Sequence, residues 1–297
     1  MRRLTVFFAA VSVLLGAAGC DTDEGTGTAP SPSPSSAVVA PAPGRHQLTL
    51  DHDGVARRYR LHAPANYDPA VPVPLVIALH PFPGEGLGMS EMVEFDAVAE
   101  RENFLVAYPD GINGGFNALV CCGTADDVGF LKALAAHLTG GWRVDPDRVY
   151  LTGISNGGDL SFRAAVEATG VFAAIGVASG GFIGPPAAAA DYVPKSPVSV
   201  ITFIGGQDRY AEQFQAGMRA WRQRLRCVPA GPASAPAEAV TLDRARCADG
   251  SDVEEYRLAN MGHSWPGAKV GPVAAPGAGV AATELIWAFF AARPRRT

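Results

Sequence analysis

Apolar residues recur along this chain with two spacings, and the alternation between them predicts the fold. Residues 46–51 and 56–62 each alternate apolar with polar side chains, and Asp53-Gly54 lies between them. That is the pattern of two half-buried strands joined by a tight turn. Residues 73–79 are apolar almost without interruption, as are 104–108, which suits strands buried on both faces. Helical spacing takes over at 89–101. It returns at 127–138, where Val128, Leu131, Leu134, Ala135 and Leu138 form one stripe. Further along, 149–151, 172–178, 198–204 and 253–258 read as strands, and 156–168, 210–225 and 281–292 as helices. A leading hairpin followed by repeated strand–helix units predicts an α/β fold, with a mostly parallel, twisted sheet covered by helices on both faces. No internal repeat is visible.

The first 43 residues follow different rules. Arg2 and Arg3 precede an apolar run from Leu4 to Leu15, and the small residues Ala17, Ala18 and Gly19 lead into Cys20. Residues 1–19 therefore read as a signal peptide, too short for a comfortable membrane span. The small residues before Cys20 resemble a bacterial lipobox, which predicts lipidation of that cysteine; ordinary cleavage and secretion is the alternative. Residues 20–43, rich in Ser, Thr, Pro and Gly, read as a tether without a core. This leaves 44–297 as one catalytic-sized domain of about 250 residues, enough to bury a large core.

Charge narrows the partners. The 297-residue chain carries −5, and loss of 1–19, which hold two arginines and no acid, gives −5 − 2 = −7. An acidic chain without basic runs excludes a nucleic-acid partner as the leading reading. Beyond Cys20 the cysteines are Cys121, Cys122, Cys227 and Cys247. An even number in an exported chain predicts disulfides. Of the three pairings, Cys227–Cys247 closes a short loop and leaves Cys121–Cys122 as a vicinal bridge. No Cys/His spacing resembles a metal site, and nothing calls for a cofactor.

Chemistry concentrates at Gly153-Ile154-Ser155-Asn156-Gly157, the only G-x-S-x-G in the chain. A strand precedes it and a helix follows. In that setting the serine sits on a strained turn above the sheet, and its flanking glycines let strand and helix approach. Ser155 is the candidate nucleophile. The partners of such a serine follow in the order acid, then histidine. Of the six histidines only His263 lies after Ser155, which makes it the candidate base. The acid belongs on the loop after the penultimate strand, where Gly205-Gly206-Gln207-Asp208 ends at a helix; Asp208 is chosen over Asp243, Asp249 and Asp252. Oxyanion donors are expected from the N–H of Asn156 and of Phe82, the one non-proline between Pro81 and Pro83. His80 reads as a bracing residue.

Together these residues resemble the polyhydroxybutyrate depolymerase and feruloyl esterase group of α/β-hydrolases, particularly its lipoprotein members. The resemblance rests on Tyr108-Pro109-Asp110-Gly111, Cys121-Cys122-Gly123, the run from Asp126 to Leu131, the run from Val144 to Tyr150, and most specifically Gly262-His263-Ser264-Trp265-Pro266-Gly267. It implies an α/β-hydrolase fold and a serine esterase acting through Ser155, His263 and Asp208, in agreement with the residues themselves. Pro81 stands where the family usually has glycine. Phe116 stands where a tryptophan commonly precedes the asparagine, here Asn117. Phe82, Phe116, Asn117 and Trp265 are the expected cleft residues. About 19 residues separate the strands at 172–178 and 198–204, so a short lid and an open cleft for bulky, polymeric or aromatic esters are expected. Membrane contact would come through the lipid alone. The competing readings are a peptidase or acyltransferase on the same fold, and a binding protein with a vestigial triad.

Overall fold

The computed structural model describes residues 40–231, 234 and 237–295. The signal peptide, Cys20 and all but the last few residues of the tether lie outside them. From Pro41 onward the chain forms one compact unit.

Its hairpin is β1 (Gly44–His52) against β2 (Val55–Ala63), antiparallel as the alternation predicts. The chain continues through β3 (Val73–Leu79), α1 (Gly86–Val93), α2 (Phe95–Glu102), β4 (Leu105–Pro109), α3 (Asp127–Gly141), β5 (Val144–Ile154) and α4 (Asn156–Glu167). Next come β6 (Ala174–Ala178), the one-turn α5 (Pro185–Ala188), β7 (Ser199–Gly205), α6 (Ala211–Arg224), β8 (Val228–Pro229), β9 (Val240–Arg246) and β10 (Asp252–Leu258). Two short strands, β11 (Trp265–Pro266) and β12 (Ala274–Ala275), and α7 (Ala282–Ala291) close it. Ten strands form one sheet in the order β1-β2-β4-β3-β5-β6-β7-β10-β9-β8, parallel from β4 through β10 and antiparallel at both ends.

Each central strand feeds two cores because successive side chains point to opposite faces. On β3, Leu75, Ile77 and Leu79 pack with α3, α4 and α6, whereas Val76 and Ala78 pack with α1, α2 and α7. Close approach of α7 depends on Gly176, where a Cβ would lie 2.8 Å from Ile286. Beside it Phe290 stacks on Tyr150, ring centroids 4.7 Å apart. Fully burying aromatic or aliphatic side chains such as these contributes roughly 1.5–3 kcal/mol each.

Besides the short α5, β8, β11 and β12, which the sequence pattern does not predict, two larger elements differ from it. The helix expected over 89–101 is two helices, broken at Glu94, which takes a left-handed φ of 54°. The break is held from outside: Thr283 Oγ1 donates to the freed Val93 carbonyl at 2.6 Å, and Lys269 pairs with Glu94 at 3.2 Å. Strand β9 has no counterpart in the sequence pattern, because Asp243, Arg244 and Arg246 interrupt its apolar alternation. These side chains are matched instead across to β10, where Arg244 faces Glu254 and Arg246 faces Asp252. Opposite charges placed cross-strand support pairing at a sheet margin.

Candidate active site

Ser155 caps α4 at the end of β5, with φ 54° and ψ −122°, a conformation that non-glycine residues rarely hold. The turn closes because its neighbours lack side chains. A Cβ on Gly153 would lie 2.5 Å from the Gly157 carbonyl, and one on Gly157 would lie 2.4 Å from the Leu79 carbonyl oxygen. The amide of Ser155 donates to Ala178 O, which leaves the hydroxyl as the group the turn presents.

Asp208 and His263 arrive on loops after β7 and β10, neighbouring parallel strands. The two loops touch through backbone. A Cβ on Gly205 would lie 2.3 Å from the Gly262 carbonyl oxygen, and Gln207 N–H donates to Met261 O at 2.9 Å. His263 Nδ1 lies 2.8 Å from Asp208 Oδ2, while Asp208 Oδ1 accepts the Tyr210 N–H at 2.9 Å. Burial pushes the Asp208 carboxyl up, but the hydrogen bonds from His263 and the Tyr210 amide, with the charge of His263, outweigh it and hold it below the ordinary carboxylate range. An ionised Asp208 accepts from Nδ1–H, so Nε2 of His263 is the nitrogen left with a lone pair. The rival acids are engaged elsewhere: Asp243 with Arg257, Asp249 with Ser251, and Asp252 with Arg246 and Arg293.

Ser155, Asn156, His263 and Phe82 line one cleft of about 470 Å³, with Tyr210 and Phe214 on its wall. A larger cavity of about 600 Å³ lies against β1 and α1 and contains none of Ser155, Asp208 or His263. Size therefore misdirects here, and chemistry identifies the smaller one. Asn156 begins α4, so its backbone N–H has no partner within the helix. Phe82 is half exposed at the cleft mouth.

Three expected cleft residues are elsewhere. Phe116 is fully buried and packs on His80, centroids 4.4 Å apart. Trp265 is also fully buried, its Nε1–H donating to Thr283 Oγ1 at 3.0 Å, in the same pillar that holds the α1–α2 break. Asn117 uses its side chain on Ala125 O and its amide on the buried carboxylate of Asp127. Their conspicuous residue types reflect packing and not substrate contact. His80 braces, as expected. Its Nε2 accepts the Gly111 N–H at 2.9 Å, so Nδ1 carries the proton and donates to Pro81 O at 2.7 Å, fixing the loop before Phe82.

The structure adds residues that sequence reasoning passed over. The Asn156 side chain accepts from Phe116 N–H and donates to the carbonyls of Phe116 and Cys121, stapling the 116–122 loop to the turn. Ser179 Oγ accepts from Ser264 N–H at 3.0 Å and ties the histidine loop down. Asp159 also lines the cleft. The cysteines pair as Cys121–Cys122 and Cys227–Cys247, each at disulfide distance. One further cluster, His52 with Asp53 and Asp126, lies apart from the cleft, where Asp126 caps α3. Among the described residues no helix is long and apolar enough to cross a membrane.

Comparison with known proteins gives the family and the fold. Residues 59–201 fit the family described as "Esterase PHB depolymerase". The chain is 31% identical over 252 residues to "Putative esterase NocK" of Nocardia uniformis subsp. tsuyamanensis, a match covering 72% of each protein. This chain belongs to the polyhydroxybutyrate depolymerase and feruloyl esterase family of carboxylic ester hydrolases. Feruloyl esterase B of Piromyces equi is 28% identical over 156 residues, covering 51% of this chain but only 29% of that protein. Among solved structures, acetyl xylan esterase from Aspergillus awamori superposes with a TM-score of 0.60 over 74% of this chain and 94% of its own, at 16% identity. That likeness speaks to fold alone, and the α/β-hydrolase fold is the one observed.

Proposed function

We propose that this esterase is an exported serine hydrolase in which Ser155, His263 and Asp208 form the catalytic triad. The observation that carries the reading is the 2.8 Å contact between Asp208 and His263 Nδ1, with the ring and the Ser155 turn opening on one cleft. In the first half-reaction His263 Nε2 takes the Ser155 proton as Oγ bonds to the ester carbonyl carbon. The carbonyl becomes an oxyanion received by the N–H groups of Asn156 and Phe82. Collapse breaks the bond to the alcohol, which leaves with the proton from His263. Water then repeats the sequence and frees the acid and Ser155. Asp208 stays ionised throughout, holding the imidazole tautomer and stabilising the imidazolium. Removing one oxyanion donor from such a site costs roughly 3–4 kcal/mol in the barrier.

The lining of the cleft supports a substrate class. Phe82, Tyr210, Phe214 and Ile183 offer an apolar and aromatic wall, and the segment between β6 and β7 holds only the four-residue α5, so bulky acyl groups can enter. This supports esters that are aromatic or polymeric, in keeping with the feruloyl (aromatic acid) and acetylxylan (polymeric alcohol) names of relatives. Residues 1–19 would direct export and Cys20 would carry the lipid. The test of the reaction is Ser155→Ala against p-nitrophenyl butyrate. A loss of roughly 10⁴-fold or more in kcat supports it, and a wild-type rate overturns it.

A further inference from the structure

Besides the three residues above, the cleft contains a second buried carboxyl that the acyl-transfer steps do not use. Asp159 lies one turn into α4, four residues and therefore about 6 Å of helix rise beyond Ser155. It is 8% exposed, and that exposure opens on the cleft. Its Oδ1 accepts the Gly181 N–H at 2.8 Å, and among the described residues Oδ2 has no hydrogen-bond partner. No described Lys, Arg or His forms an ion pair with it. Burial pushes the carboxyl up to about 7, with the Gly181 amide and the charge of His263 opposing. A largely buried carboxyl without a counter-ion is costly to folding, so its retention on the cleft points to a role there.

The charged neighbours define what it can do. On its own helix Arg163 is turned away, bound to Asn117 O and Glu167. The Ser179–Ile183 side is uncharged, and Cys121 and Cys122 are bridged. The loop entering α6 brings Arg209, whose guanidinium lies 4.7 Å from the Tyr210 ring centroid in an exposed position, and Tyr210 itself. The loops after β7 and β10 bring Asp208 and His263. Among the described residues lining the cleft, Arg209 is the one arginine and it is exposed, while Asp159 is buried one helical turn beyond Ser155.

We propose that Asp159 is a specificity-determining residue of this cleft, selecting esters whose acyl group is uncharged near the carbonyl against those carrying a carboxylate there. The proposal rests on the serine esterase reading. Like charges brought within roughly 6–10 Å in a partly water-excluded site disfavour binding by roughly tenfold. The discrimination grows with pH as Asp159 ionises.

The test compares kcat/KM for monoethyl succinate with that for ethyl succinamate, its uncharged isostere, from pH 5.5 to 8.5. Changes in the free enzyme that bear equally on both substrates cancel in the ratio of kcat/KM. Arg209 keeps its charge throughout and adds a constant. In the unmodified protein the preference for the amide should rise about tenfold across this range, mainly through KM. In Asp159→Asn, and in Asp159→Ala as a second variant, the ratio should be flat. A preference that rises equally in the variants, or that is flat in the unmodified protein, overturns the proposal. Failure to hydrolyse p-nitrophenyl butyrate at all would instead remove the esterase reading on which it stands.

Discussion

Asp159 also makes a prediction about stability that needs no substrate. In Asp159→Asn the amide oxygen still accepts the Gly181 N–H, so only the ionisable proton is lost. The carboxyl rises from its ordinary 3.8 to about 7 on folding. Well below pH 3.8 both states are protonated and the group contributes no penalty. As pH rises the unfolded chain releases its proton first, and stability declines until the folded carboxyl ionises near pH 7. The difference, 7 − 3.8 = 3.2, corresponds to about 4 kcal/mol at pH 8 and about 1 kcal/mol at pH 4.5. Oδ2 borders solvent in the cleft, so 4 kcal/mol is a ceiling. Urea unfolding of both proteins at the two pH values isolates the effect. The gain of Asp159→Asn over the unmodified protein should be larger at pH 8 by up to about 3 kcal/mol. An equal gain at both pH values would refute the assignment of a buried, unpaired acid.

Other substitutions test the rest of the site. Asp208→Asn should keep its oxygen on the Tyr210 amide and turn its NH₂ toward His263 Nδ1. That forces the proton onto Nε2, and steady-state kinetics should show kcat down by about 10³–10⁴-fold with KM little changed; Asp243→Asn, on a surface pair, should leave both intact. Gly157→Ala drives a Cβ to within 2.4 Å of the Leu79 carbonyl oxygen. It should lower stability by about 1–3 kcal/mol in thermal unfolding and displace Ser155. Cys20→Ser, expressed in a bacterial host, should move the protein from the membrane fraction to the soluble exported fraction, and an unchanged distribution would remove the lipid anchor.

Much of this arrangement is legible in the sequence because periodicity and order carry it. The apolar runs locate β3 through β7, and the strand–turn–helix setting locates Ser155. The order nucleophile, acid, base reduces six histidines to one. What remained hidden depends on tertiary partners. Glu94 breaks a helix because Thr283, distant in sequence, takes the Val93 carbonyl. Strand β9 pairs through charges whose partners lie on β10. Phe116 and Trp265 look like cleft aromatics, since residue type does not tell which side of a loop faces solvent. Asp159 carries no signature at all: an acid in a first helical turn reads as a favourable dipole partner, and only burial reveals it as something else.

The proposed reaction depends on Ser155 being the acylated nucleophile. Brief reaction with a fluorophosphonate, followed by digestion and mass spectrometry, tests it at the level of the bond. The expected result is a single phosphonylated peptide modified at Ser155, with labelling lost in His263→Ala. A folded protein that stays unlabelled, or one labelled at another serine, would contradict the account.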